Sequence, residues 1–207
     1  MPTKRPPTNQ PAAEPAVPTS GRRLRRAERR EQLLAAATQA FARTGFAATS
    51  LDDIAEAAGI SRVLLYRHFE SKADLYRAVL DRAIQRLTTA VGTRDYTYAS
   101  IDALLAAAAE DSDGFRLLFH HAAREPEFRQ QMDRFRKGMV ATARRELARV
   151  IGDRAWVQWA AQLAPVVAIE AVMAWLDAGQ PDPDQAADRI RLALAGVISA
   201  AQYPATT

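Results

Sequence analysis

The amino-acid sequence predicts an all-α chain in which a small N-terminal unit of three helices runs through a fourth helix into a larger helical domain. Composition is the first reason. Of 207 residues 44 are alanine and only 9 are glycine, a mixture that favours helix and leaves almost no expectation of strand. Spacing is the second, because apolar side chains recur three and four apart from about Arg25 onward, the period of one helix face. Punctuation is the third: serine and aspartate cap signals open segments that glycines close.

Residues 1–20 precede that pattern with Pro2, Pro6, Pro7, Pro11, Pro15 and Pro18 and almost no bulky apolar side chain. They are expected to form a disordered tail. Helix 1 follows, with Leu33, Leu34, Ala37, Ala40 and Phe41 in register, and stops at Gly45. Ser50 and Asp53 make a near capping box for helix 2, which runs to about Ala58. Gly59 supplies a positive φ, and Ser61 caps helix 3, expected over 62–69. Helix 2, the short turn and helix 3 have helix-turn-helix proportions.

Ser71 and Asp74 repeat the cap for helix 4, whose face carries Tyr76, Leu80, Ile84, Leu87 and Val91 until residues 92–98 break it. Further helices are expected over 101–110, over the aromatic stretch 115–123, from beyond Pro126 to Gly152, over 156–178 with a bend at Pro165, and over 184–201. The expected organisation is therefore a tail over 1–20, a helix-turn-helix unit over 21–70 and a helical domain over 71–203.

Charge is unevenly placed. The chain carries +4 overall, with an excess of six positive charges over residues 1–91 and of two negative charges beyond, so a polyanion would be gripped at the N-terminal end. Twenty-five of the 28 cationic residues are arginine, whose fork suits phosphates and base edges. The absence of cysteine excludes disulfides and thiolate metal sites and fits a reducing cytoplasm. No stretch reads as long and apolar enough to span a bilayer, and Thr38, Gln39 and Arg43 interrupt the apolar run behind Arg22–Arg26 that would otherwise resemble an export signal.

In the helix-turn-helix segment, Ala55 and Ala58 are small where two helices must cross, and Ile54, Ile60, Leu65 and Phe69 form a miniature core with helix 1. That leaves Arg62, Leu64, Tyr66, Arg67 and His68 outside it. At the start of a helix in the major groove, Ser61 and Arg62 reach base edges and Leu64 meets a thymine methyl. Thr49 and Ser50, at the N-terminus of helix 2, are placed to offer N–H groups to a phosphate.

The run TSLDDIAEAAGISRVLLYRHFESKADLYRAVL resembles the DNA-binding signature of the tetracycline-repressor (TetR) family. Ile54, Ala55, Ala58, Gly59, Ile60, Ser61, Leu65, Tyr66, Phe69, Lys72 and Leu75 stand where that pattern asks for them, behind Gly45 and Phe46. The resemblance is close over residues 30–82. It implies that Tyr66, His68 and Lys72 touch phosphate, and that the last two helices pair with those of a second copy into a four-helix bundle. It also implies a small-molecule effector that enters between helix 4 and its C-terminal neighbours and releases operator DNA. One departure is Val63 and Leu64, where many members carry a glycine and a small or hydroxylated residue.

Other residues carry alternatives. Arg22, Arg23, Arg25 and Arg26 are either a solvated charge run or an arm that contacts DNA. Phe119, His120, Trp159 and Glu170 are candidates for a ligand pocket. Glu170, amid apolar neighbours, either faces that pocket or meets a cation across an interface. Small side chains along one helix (Ala160, Ala164, Val167, Ala171, Ala174) beside larger ones (Trp159, Leu163, Val166, Met173), with Ile190, Leu194 and Val197 on the last, have the composition of a bundle interface. Ala171, Ala174, Leu194 and Val197 are the expected dimer contacts. Adjacent His120 and His121 point about 100° apart with no carboxylate sharing a face, so no metal is expected. No cofactor is expected either, and the chain lacks a nucleophile setting or a phosphate loop that would mark an enzyme. The expected partners are double-stranded operator DNA, a second copy of the chain and an unidentified effector, without a membrane; the rival is a helix-turn-helix protein that needs no ligand.

Overall fold

In a computed structural model, which describes residues 19–92, 95–97 and 99–204, every regular element is a helix and no strand occurs among the described residues. The proline-rich segment expected to be a disordered tail lies, up to residue 18, outside the described residues. Helix α1 spans Thr19–Ala48. Its backbone leaves the helical region at Gly45 (φ 77°, ψ 172°), where a side chain would be strained, so the stop read from the sequence is a break before a last turn. Leu33, Leu34, Ala37, Thr38 and Phe41 form its buried face.

Helix α2 (Leu51–Ala57) opens with a complete capping box: Asp53 N–H donates to Ser50 Oγ at 3.0 Å and Ser50 N–H to an Asp53 carboxylate oxygen at 3.1 Å. Helix α3 is shorter than expected. It covers Arg62–Tyr66 and is capped by Ser61, while His68 and Phe69 lie in the turn that follows. Helix α4 (Lys72–Val91) is capped by Ser71 and ends at Gly92, φ 86°.

Helix α5 (Ala99–Glu110) and the short α6 (Ser112–Arg116) follow. Where the sequence predicted one helix over 115–123, the chain widens into a π-helical turn, Leu117–His121, and then tightens into 3-10 turns at Ala122–Arg124 and Pro126–Phe128. Adjacent Leu117 and Leu118 are both buried in this stretch. Helices α7 (Arg129–Leu147), α8 (Arg154–Asp177) and α9 (Pro183–Ala201) complete the chain, α8 packing on both α7 and α9.

Helix α8 is long and apolar enough to cross a membrane, which corrects the expectation that no segment is. Here it is a packing helix, with Val157, Ala160, Ala161, Ala168, Val172, Met173 and Leu176 buried in the fold. One core runs without interruption from Leu33 in α1 to Ile190 in α9, and a smaller one joins α7, α8 and α9 around Ala160, Ala161 and Val197. Val197 is thus buried inside the monomer, which corrects its assignment as a dimer contact.

The three N-terminal helices are fastened to the rest by four aromatic rings. Tyr76 of α4 meets Phe41 edge-on at 4.8 Å, Phe46 at 5.0 Å and Phe128 at 4.4 Å between ring centres. Arg82, largely buried, crosses the same boundary by bridging Glu31 of α1 at 2.7 Å and Asp111 at 3.2 Å. Tyr76 is fully buried, and its hydroxyl finds no hydrogen-bond partner among the described residues. Burial, with Glu125 nearby, pushes its ionisation far above the usual tyrosine range. Because an unsatisfied buried hydroxyl costs about 1–3 kcal/mol, Tyr76→Phe is expected to leave the fold intact and stabilise it by about 1 kcal/mol in urea unfolding. A loss of stability would show that the hydroxyl has a partner.

Candidate functional site

The outward face of α3 is built from its caps. Ser61 accepts a hydrogen bond from Leu64 N–H at 3.3 Å and so fixes where the helix begins. Arg62, Val63, Tyr66 and Arg67 are exposed, while Leu65 and Phe69 are buried beneath them. Arg62 donates to Asp52 at 3.0 Å and to the Tyr66 hydroxyl at 3.4 Å, with its guanidinium 5.6 Å from the Tyr66 ring centre. The pair is solvent-exposed on both sides, so exchanging it for another acceptor costs little. Leu64 is half-buried, and Val63, 67% exposed, is the apolar side chain that projects; sequence reasoning noticed Val63 as a departure but assigned the contact to Leu64.

Two residues expected at the DNA face also make contacts within the chain. The Thr49 side chain is buried, its hydroxyl 2.7 Å from Thr44 Oγ1 and 2.7 Å from the Gly45 carbonyl oxygen. Only its backbone remains available. The Lys72 ammonium donates to three carbonyl oxygens at the end of α1, those of Phe46 (2.8 Å), Ala47 (3.2 Å) and Thr49 (3.1 Å), and lies 4.6 Å from the Phe46 ring centre. Its three protons are therefore committed to the chain, and it clamps the α1–α2 junction to the start of α4. Ser50 is exposed but engaged in its cap.

His68 is half-buried, and its basicity is lowered first by burial and then by Arg26, Arg30 and Arg29 of α1. That places the α1 arginines beside the end of α3 in one basic surface, with Arg30 stacked over the Phe69 ring at 5.1 Å. Arg29 and Arg30 belong to this surface and continue the arginine run that begins with Arg22, Arg23, Arg25 and Arg26. Of those, Arg26 is exposed, and the side chains of the other three lie outside the described residues.

A cavity of about 720 Å³ opens between α4, α5, α7, α8 and α9. Leu87, Thr88 and Val91 of α4 form one wall, Phe135, Met139 and Glu146 of α7 another, and Pro165, Ala168 and Ile169 of α8 with Leu194 and Ile198 of α9 a third. Phe119 lines it as expected, but His120, Trp159 and Glu170 do not. His120 and His121 are half-buried in the π turn. Trp159 and Glu170 fall on the opposite, exposed face of α8. The tyrosine at 96 and the glutamate at 146, which sequence reasoning passed over, are in the wall.

Exposed apolar side chains stand on that opposite face of α8, Trp156, Trp159 and Val166, and Tyr203 is exposed just past the end of α9. Ala174 shares that face of α8, whereas Ala171 and Leu194 are half-buried and pack against the core. Among the described residues no group of three His, Asp or Glu side chains is arranged to hold a metal.

A capped three-helix unit with an exposed, arginine-bearing third helix, fastened to a helical domain with an apolar cavity, is a helix-turn-helix arrangement suited to binding DNA. Residues 33–79 match the N-terminal domain of the bacterial regulatory proteins of the tetR family, and the chain carries that domain. It is 41% identical over 109 residues to the transcriptional activator FasR of Mycolicibacterium smegmatis, which covers 49% of this chain and 50% of FasR. It is 50% identical over 54 residues to the transcriptional regulator TtgR of Pseudomonas putida, 26% of each chain. The chain thus matches about half the length of FasR and about a quarter of TtgR. A TetR-like regulator from Rhodococcus sp. RHA1 shares the fold, with a TM-score of 0.69 at 22% identity over 84% of this chain and 97% of that one.

Lys72→Met is expected to lower stability by about 1–2 kcal/mol, because it frees carbonyls that the ammonium now satisfies. Urea unfolding of the DNA-free protein checks this; an unchanged midpoint would return Lys72 to the role of a phosphate contact.

Proposed function

We propose that this chain is a sequence-specific DNA-binding repressor that acts as a two-fold dimer and releases its operator when a small molecule fills the cavity. The observation that carries the reading is the shared helix α4. Its first turn holds the DNA-binding unit through Lys72 and Tyr76, and its last turns line the cavity through Leu87, Thr88 and Val91. A cavity of this size, with a mostly apolar wall and a few polar groups, has the character of a small-molecule site, and this favours the ligand-responsive reading over a regulator that needs none.

In this reading Arg62 and Ser61 read base edges, Val63 and Leu64 meet methyl groups, and Tyr66, Arg67 and His68 with Arg26, Arg29 and Arg30 engage phosphates. Ser50 and the backbone at Thr49 offer N–H groups to a further phosphate. A protein with this surface works where DNA is, in the cytoplasm. The related FasR is named an activator, so a reporter gene behind the selected site tests the sign: repression relieved by ligand is expected, and a reporter that needs the protein would reverse it.

The dimer would use the exposed face of α8 and α9, with Trp159, Val166, Ala174 and Tyr203, and would set the two α3 helices roughly 34–36 Å apart, one turn of DNA. Selection from random DNA is expected to return a palindrome with half-site centres about 10 base pairs apart. Arg62→Ala and Val63→Ala should change the selected bases, while Tyr66→Phe should weaken all sequences alike. An unchanged motif for Arg62→Ala would remove Arg62 as a base reader.

Because Trp159 and Val166 are exposed in the monomer, Trp159→Asp and Val166→Asp should fold normally yet sediment as monomers and lose operator affinity. Intact dimers for both would place the interface elsewhere.

A further inference from the structure

Asp52 stands in the first turn of α2 and Arg62 opens α3, so the ion pair between them ties the two helices together on their outer surface. The neighbouring carboxylate, Asp53, is engaged in the cap of α2. Asp52 has no such task, and Arg62 is the one hydrogen-bond or ion-pair partner of its side chain among the described residues. Arg67, exposed at the end of the same α3, makes no ion pair or hydrogen bond through its side chain among the described residues. One arginine of this face is thus anchored and the other is not. The anchor is an anion on the face that meets a polyanion, which weakens contact with every sequence. Interfaces use repulsive elements of this kind to gain selectivity.

The hydrogen bonds show how the pair does so. Asp52 accepts from Nη1 of Arg62 at 3.0 Å, and the Tyr66 hydroxyl accepts from Nη2 at 3.4 Å. The second contact is long, and the guanidinium keeps further N–H donors. A guanine edge offers two neutral acceptors, N7 and O6, to such a fork. It can take the place of Tyr66 while Asp52 stays. A phosphate brings a second anion against the Asp52 carboxylate, so Arg62 must leave Asp52 to reach it. Pairing therefore leaves the base contact open and opposes the phosphate contact, which is the one that supplies non-specific binding.

We propose that Asp52 is a positioning residue for base readout: it holds the Arg62 guanidinium toward a guanine edge and away from phosphates, and so sharpens sequence discrimination without touching DNA. This rests on reading α3 as the DNA-reading helix. An exposed ion pair of this kind corresponds to a change of up to about fivefold in binding.

The test is fluorescence anisotropy of the full-length protein on three duplexes. One is the selected operator, one carries adenine in place of the guanine whose selection Arg62→Ala abolishes, and one is a random sequence. Asp52→Ala is expected to narrow the gap between the operator and the adenine duplex by about three- to fivefold. It should also steepen the salt dependence of random-sequence binding by about 0.9, the slope of one added phosphate contact. With Arg62→Ala already in place, Asp52→Ala should change neither. Asp52→Asn, nearly isosteric, should shift both in the same direction and guards against a folding defect in the alanine variant. A gap that persists in both Asp52 variants, or an equal rise in affinity for all three duplexes, would show that Asp52 merely repels DNA; the proposal would fall and Arg62 would remain a base reader. A narrowing that survives in the Arg62→Ala background would overturn it as well. A wild type that binds all three duplexes alike would end the assignment of α3 as the reading helix, and this inference with it.

Discussion

The packing of Tyr76 against Phe41, Phe46 and Phe128 is the contact on which the rest of the architecture depends. A unit of three helices and about fifty residues buries too little surface to be robust alone. Here it shares its core with the helical domain. Tilted and edge-on arrangements between these rings are the favourable ones, and removing a buried ring of this kind costs about 3–5 kcal/mol. The cage holds although the Tyr76 hydroxyl has no partner among the described residues, so the packing outweighs a polar penalty placed in its middle.

Around that cage, rigid and yielding contacts are segregated. Lys72 ties three backbone carbonyls, and Arg82 is held by two carboxylates with little exposure. Both fix the angle between α1 and α4. On the surface of α3, by contrast, Arg62 is held only by Asp52 and Tyr66 in full contact with solvent. Such pairs contribute little to stability. The side chain is preplaced without being committed, which suits a group that must exchange partners when a polyanion arrives.

What was legible in the sequence follows from range. Ser50, Ser61 and Ser71 were readable as caps because a cap acts within four residues, and their hydrogen bonds form as the spacing predicted. The hold of Lys72 on the α1–α2 junction was not legible because its partners lie 23 to 26 residues away, beyond any local pattern. The burial of the Thr49 hydroxyl was not legible either, because the break at Gly45 folds the chain back over it. The π turn at 117–121 was not legible, because no local pattern in the sequence announces it. Glu170 and Glu146 show the same limit from both sides. The first sits in an apolar run and is exposed, the second in a charged run and is half-buried at the cavity wall, because periodicity gives the faces of a helix but not which of two faces turns inward.

That ambiguity is greatest for α8, and its resolution explains how one helix serves two surfaces. Pro165, Ala168 and Ile169 line the cavity, while Trp159 and Val166 stand on the exposed side. Helix α9 is divided in the same way, with Leu194 and Ile198 at the cavity and the face leading to Tyr203 outside. Pro165 also lacks the N–H that would bond back along α8, so the hydrogen-bond ladder is weakest beside the cavity. Close-packed interiors shift between discrete arrangements and do not deform freely. A molecule that fills the cavity must therefore be accommodated by the two helices whose outer faces the proposed dimer uses, and by the end of α4 remote from Lys72. In the proposed function, effector occupancy and the spacing of two α3 helices are coupled through shared backbone, without any contact between effector and DNA.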